Sequence, residues 1–181
     1  MYDILYNIDL SIFTFLNQTI SNPIFYKFFP FITNVKNWYL AYIILWFIAI
    51  FKGGRIGKIS AVGVIVLIAI SDQISSNILK SFFERVRPCN AIENVHLLVN
   101  CTHSYSMPSS HAVNNFAVAV FFGKLFPKLK IIFLSIAVLV AISRPIVGVH
   151  YFSDIFVGAI IGSLIGYIFA IGAIKTNNYL E

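Results

Sequence analysis

Charge is scarce in this 181-residue chain: seven Asp and Glu stand against thirteen Lys and Arg, and only 11% of the residues are charged. A water-soluble domain ordinarily carries about a quarter of its residues as charges, so this chain cannot clothe an aqueous surface. The few acids are scattered, which leaves no carboxylate cluster for Mg²⁺. Cysteine is scarcer still, with Cys89 and Cys101 alone, and no Cys/His set has zinc spacing. No metal and no cofactor is therefore expected. The first residues, MYDILYNIDLSIF, hold two acids and no basic stretch, which argues against a cleavable signal peptide and leaves insertion to internal spans. Repeats, low-complexity tracts and soluble-domain boundaries are also missing, so residues 1–181 read as one membrane-embedded domain.

What fills the chain instead is apolar: 59% of residues are hydrophobic and the mean hydropathy is +0.84. These values predict an all-α integral membrane protein. Residues 3–20 place Ile4, Leu5, Ile8, Ile12, Phe15 and Leu16 at roughly helical spacing among polar residues, which predicts a helix lying in the membrane interface. The following PIFYKFFPFIT is broken by Pro30 and too short to span, so residues 1–35 form an interfacial or re-entrant segment. A bundle of about five transmembrane helices follows, at roughly 36–51, 58–80, 109–125, 130–145 and 151–174.

The basic residues orient this bundle. Lys52, Arg55, Lys58, Lys124, Lys128, Lys130 and Lys175 fall on one side if the spans alternate, and cytoplasmic ends are the ones enriched in Lys and Arg. Residues 81–108 and 143–152 then face the exterior, which in a bacterium means the periplasmic side of the inner membrane. Because the cations sit at span ends rather than on one face, nucleic acid is not an expected partner. Cys89 and Cys101 share one outer loop, where either a disulfide or two free thiols fits.

Ionisable side chains at membrane depth are expensive, and here they concentrate on the outer side. Lys80-x6-Arg87-Pro88 brings two cations to one helix end, a combination suited to phosphate. Pro108-Ser109-Ser110-His111 opens an apolar run with the residues of a helix start, whose free N–H groups attract anions. Ser143-Arg144 precedes His150 and Asp154, and the i, i+4 spacing predicts a shared helical face on which the carboxylate holds one ring nitrogen and frees the other. Asp72, Ser76 and Lys80 are predicted to share a face of the second span. Arg85 reads as a lipid-phosphate or solvent contact, and His96 and His103 as water-facing loop residues.

These three linked segments, in this order and spacing, resemble the type-2 phosphatidic acid phosphatase family across residues 80–154. One position departs from the family pattern, Ser110 standing where Gly is usual, and this substitution is costly if the backbone there needs a positive φ. The resemblance implies that His150 attacks phosphorus to form a phosphohistidine, that Asp154 orients its ring, and that His111 protonates the leaving oxygen and later activates water. It assigns Lys80, Arg87, Ser109, Ser110 and Arg144 to phosphate binding.

The expected activity is hydrolysis of a lipid phosphate monoester or diphosphate whose tail remains in the bilayer, with membrane lipid as the partner. Lipid A 1-phosphate is favoured, because the compact form is similar to lipid A 1-phosphatases. Undecaprenyl diphosphate, phosphatidylglycerol phosphate and phosphatidic acid are the alternatives, together with phosphotransfer between lipids. Vanadate-dependent halide oxidation uses a similar anion site in a soluble fold, which the spans argue against. A phospholipid-binding or transport protein would not need Asp154 behind a nucleophile.

Overall fold

The computed structural model describes residues 2–20 and 22–180, and these residues form helices, turns and loops with no strand among them. Helix α1 (Tyr2–Thr14) runs on into a wider π turn at Phe15–Thr19. Helix α2 (Pro23–Thr33) starts where the Asn22 side chain accepts from the N–H groups of Ile24 and Phe25, and Pro23 takes the first helical position. Pro30 is accommodated inside α2, one turn before its end. At 13 and 11 residues, neither helix is long enough to cross about 30 Å of hydrocarbon. Each buries one face: Phe13 and Asn17 from the first arm, Phe29, Ile32 and Thr33 from the second.

The bundle proper begins with α3 (Tyr39–Lys52) and α4 (Gly54–Gln73), and α4 continues through a π segment, Ile74–Leu79, into α5 (Lys80–Phe83). A short α6 (Pro88–Ala91) lies in the outer loop; α7 (Ser110–Leu125), α8 (Lys130–Ile146) and α9 (Phe152–Tyr179) complete the chain. Among the described residues four helical stretches are long and apolar enough to cross a membrane: Val35–Lys52, Gly54–Ala91, Pro127–Ile146 and Phe152–Tyr179. The expected fifth span, α7, has 16 residues and reaches only about 24 Å. It packs between α4, α8 and α9 and buries Ala112, Val113, Ala117 and Phe121 completely, so it is the bundle's central helix.

Close approach of α7 and α9 depends on glycine. A Cβ on Gly162 would lie 2.2 Å from the carbonyl oxygen of Val113, and one on Gly166 would lie 2.2 Å from that of Ala117. A glycine every fourth residue thus turns one stripe of α9 into a groove for the α7 backbone, a packing mode suited to lipid because it gains van der Waals contact without needing water to be expelled.

The helices alternate in direction, so the start of α7, the end of α8 and the start of α9 meet at one end, beside α5. The seven basic residues that orient the bundle lie at or near its opposite end. At the first end the N-terminal arms clamp the outer loop. Asn17, fully buried, donates from Nδ2 to the carbonyls of His96 and Ile146, both at 2.9 Å, and accepts from the His96 N–H at 2.9 Å. Gly148 turns beneath this clamp at φ +89°, where any side chain would also strike Val95 and the His96 carbonyl. Cys89 and Cys101 are disulfide-bonded, closing the loop between them.

Candidate active site

The motif residues converge on this end of the bundle. His150 is not on a helix: residues 147–151 form the link between α8 and α9, and Tyr151 is extended at φ −74°, ψ 166°. Asp154 lies in the first turn of α9 and reaches back over the helix start, where Oδ2 accepts from the Tyr151 N–H at 2.8 Å. The predicted shared helical face is therefore replaced by a helix cap. The outcome is the same contact, His150 Nδ1 lying 3.4 Å from Asp154 Oδ2.

Asp154 is fully buried and heavily bonded. Ser106 Oγ donates a short hydrogen bond to Oδ2, and Oδ1 accepts from Arg85 Nη1 at 2.8 Å. Arg87 Nη1 sits 3.2 Å from His150 Nε2 and can only donate, so Nε2 is the acceptor and the ring proton is on Nδ1, facing Asp154. Burial pushes the His150 imidazole down from its ordinary range to about 3, against the pull of Asp154, while Arg87 and Arg144 push the same way as burial. At neutral pH His150 is thus a neutral imidazole with its lone pair on Nε2.

Three cations surround it, each buried. Arg87 is fixed by its Nε to the Ser104 carbonyl at 2.7 Å, by Nη2 to Ser104 Oγ at 2.9 Å and by Nη1 to the Val149 carbonyl at 3.1 Å. Lys80 Nζ donates to the Tyr105 carbonyl at 2.9 Å and lies within Coulombic reach of Arg87, Arg144 and Asp154. Arg144 donates from Nη1 to Thr33 Oγ1. His111, in the first turn of α7, lies near the Thr33 backbone and within Coulombic reach of Arg144, His150 and Lys80. Thr33, at the end of α2, therefore braces Arg144 and lies beside His111.

Two buried side-chain atoms among the described residues have no hydrogen-bond partner, Ser109 Oγ and Arg144 Nε. Orphaned buried donors are costly, so each is suited to an oxyanion acceptor, Arg144 within Coulombic reach of Lys80 and Arg87 and Ser109 at the start of α7. Ser109 is the N-cap of α7 at φ −72°, ψ 112°, yet its hydroxyl caps nothing. Ser110 is the first residue of α7 and bonds Ser76 Oγ at 3.1 Å; its φ is not positive, so replacing the usual Gly carries no backbone cost.

A model of the PAP2 superfamily matches residues 60–177 of this sequence. The chain belongs to the PAP2 superfamily. It is similar to a lipid A 4'-phosphatase of Bacteroides thetaiotaomicron, 29% identical over 189 residues that cover all of this chain and 84% of that one. A lipid A 4'-phosphatase of Porphyromonas gingivalis is 27% identical over 167 residues, covering 88% of this chain and 70% of the relative. Among solved structures, that of Aquifex aeolicus LpxE superposes with a TM-score of 0.72 at 28% identity, covering 90% and 94% of the two chains. The fold is also that of the transmembrane PAP2 type phosphatidylglycerolphosphate phosphatase from Bacillus subtilis, at a TM-score of 0.71 and 24% identity.

The structure brings the motif residues to one end of the bundle and adds residues that hold them, which the motifs did not mark. Arg85, expected to meet lipid or solvent, is instead bonded to Asp154, Ser153 and Asp9. Asp72 lies within Coulombic reach of Lys80 without bonding it, and its hydrogen bonds go to other polar groups, accepting from Asn114 Nδ2 at 3.1 Å and Ser76 Oγ at 3.4 Å. His96 is held by Asn17 and lies 3.4 Å from Tyr26 Oη rather than facing water alone. Ser104, Ser106 and Thr33 carried no signal in the sequence, since polar side chains in loops and at helix ends are ordinary. Asp9 did carry one: an acid inside an apolar helix needs a partner.

Proposed function

We infer that this PAP2 enzyme, a phosphatase acting on lipid phosphates, works through a phosphohistidine on His150. The observation that carries this reading is the pairing of a neutral, Asp154-oriented imidazole with the two orphaned donors, Ser109 Oγ and Arg144 Nε. In the first step Nε2 forms a bond to phosphorus as the bond to the lipid oxygen breaks, and His111 gives that oxygen a proton. The imidazolium so formed keeps its proton on Nδ1, donated as a hydrogen bond to Asp154. In the second step water attacks phosphorus, its proton passes to His111, and the nitrogen–phosphorus bond breaks to release phosphate. Lys80, Arg87 and Arg144, with Ser109 and the free N–H groups near Ser110, stabilise the equatorial oxygens. Arg87 Nη1 now sits on the nucleophile's lone pair, so it must swing from Nε2 to a phosphate oxygen before attack.

The site faces the periplasm in this reading. Support comes from the seven basic residues at the opposite end of the bundle and from the disulfide at the site's own end, since disulfides persist in oxidising compartments. Lipid A is the favoured substrate. The compact form speaks for its 1-phosphate, the names of the two relatives for its 4'-phosphate. A second reading, phosphatidylglycerol phosphate, is supported by a Bacillus subtilis phosphatidylglycerophosphatase B that is 36% identical over 109 residues, about half of each chain.

The test is phosphate release by purified wild type and His150→Ala in detergent, without added metal. Bis-phosphorylated lipid A, phosphatidylglycerol phosphate and undecaprenyl diphosphate are the substrates, with ³¹P spectra of the lipid A product telling the 1- from the 4'-position. Release from lipid A that disappears in the variant is expected; equal release by both proteins would refute the nucleophile.

A further inference from the structure

The catalytic motifs do not account for Asp9 and Arg85. Both are drawn out of water: Asp9 is 6% exposed and the Arg85 side chain 21%. Arg85 spans two carboxylates, Nη1 donating to Asp154 Oδ1 at 2.8 Å and Nη2 to Asp9 Oδ2 at 2.7 Å. The guanidinium lies over the Tyr151 ring, 4.0 Å from its centroid. Asp9 is itself fixed to the start of α9, accepting from the Ser153 N–H at 2.9 Å and from Ser153 Oγ. A half-buried guanidinium clamped between two buried carboxylates is held in place, because moving either carboxylate breaks a charge-assisted hydrogen bond.

We propose that Asp9 and Arg85 form a positioning pair for the nucleophile: Arg85 holds Asp154 so that Oδ2 faces His150, and Asp9 supplies the counter-charge that keeps Arg85 there. The chemical reason lies in how the two oxygens of Asp154 are divided. Oδ1 goes to Arg85, while Oδ2 serves Tyr151 N–H, Ser106 and His150. Without Arg85 the carboxylate keeps only its Oδ2 contacts to Tyr151 N–H, Ser106 and His150, so Oδ1 loses its anchor and the charge rests more fully on the imidazole. Without Asp9, Arg85 has a surplus positive charge beside Asp154 and neutralises it further. The N-terminal arm thereby becomes part of the catalytic apparatus, contacting the residue behind the nucleophile rather than the substrate. This inference rests on the phosphohistidine reading above.

The experiment uses the full chain in detergent with the lipid phosphate that wild type hydrolyses fastest, and compares Arg85→Met, Arg85→Lys, Asp9→Asn and the double variant. Release by wild type tests the phosphatase reading; ratios of variant to wild type test this one. Arg85→Met is expected to lower kcat roughly 10- to 100-fold with KM within about twofold, since a misplaced catalytic group costs rate rather than binding. Arg85→Lys recovers part of the loss, and the double variant is no slower than Arg85→Met alone.

A purely structural brace would scale the whole pH profile, whereas this pair acts on the charge seen by His150, which otherwise faces Arg87, Arg144 and His111. The acid limb of kcat/KM should therefore move to higher pH in Arg85→Met and not in Asp9→Asn. An Arg85→Met enzyme with wild-type kcat, or one whose loss is matched by less folded protein on size-exclusion chromatography with an unmoved acid limb, would overturn the proposal.

Discussion

Replacing Gly162 by Ala tests the packing on which the site depends. In an exposed helix interior this change gains roughly 1 kcal/mol, because Ala loses less backbone entropy on folding. At position 162 the new Cβ would sit 2.2 Å from the Val113 carbonyl oxygen and 3.0 Å from the Val113 Cα, backbone atoms that cannot swing aside. Restoring an ordinary contact requires α7 and α9 to separate by roughly 1 Å. Overpacking of this kind costs about 1–3 kcal/mol, so the net change is destabilising by up to about 2 kcal/mol.

Gly172 on the same helix is the internal control, since a Cβ there meets nothing within 4 Å and Ala should stabilise. Thermal unfolding in one detergent, followed by tryptophan fluorescence, should thus order the proteins Gly172→Ala above wild type above Gly162→Ala, with the outer two about 2–12 °C apart. Activity should fall with stability only at position 162, because α7 carries Ser109 and His111 while α9 carries Asp154. A 1 Å separation of the two is worth up to about 100-fold in rate. Equal melting temperatures for the two variants would refute the claim that close backbone approach holds the halves of the site together.

Three further outcomes follow from single contacts. Asn17→Ala removes the two donors and one acceptor that tie the N-terminal arm to His96 and Ile146, and should cost about 2–4 kcal/mol, read as a lowered melting temperature with faster proteolysis of residues 92–100. Cys89 and Cys101 should resist alkylation until reduced, and the double Ser variant should lose about 3 kcal/mol of stability, as expected for a loop closed across a separation of 12 residues. Ser109→Ala should weaken inhibition by orthovanadate roughly tenfold while leaving the melting temperature at or above that of wild type, because an orphaned hydroxyl is removed.

Composition and the placement of basic residues determined from sequence alone that this is a helical membrane protein and which side its ionisable motifs share. Both signals are local and additive, requiring only that apolar stretches enter lipid and that Lys and Arg stay with the cytoplasmic ends. Lys80, Arg87, Ser109, Ser110, His111, Arg144, His150 and Asp154 could be singled out in the sequence because polar groups at helix ends in an apolar chain stand out and because three such segments recur in a family's order and spacing. What tertiary structure decided is how these residues are held. Arg85 and Asp9 are 76 residues apart, and Arg144 and Thr33 are 111 apart, distances across which no periodicity carries information. The helix cap formed by Asp154 likewise depends on neighbours in space. It altered the expected geometry of one motif without moving it from the site.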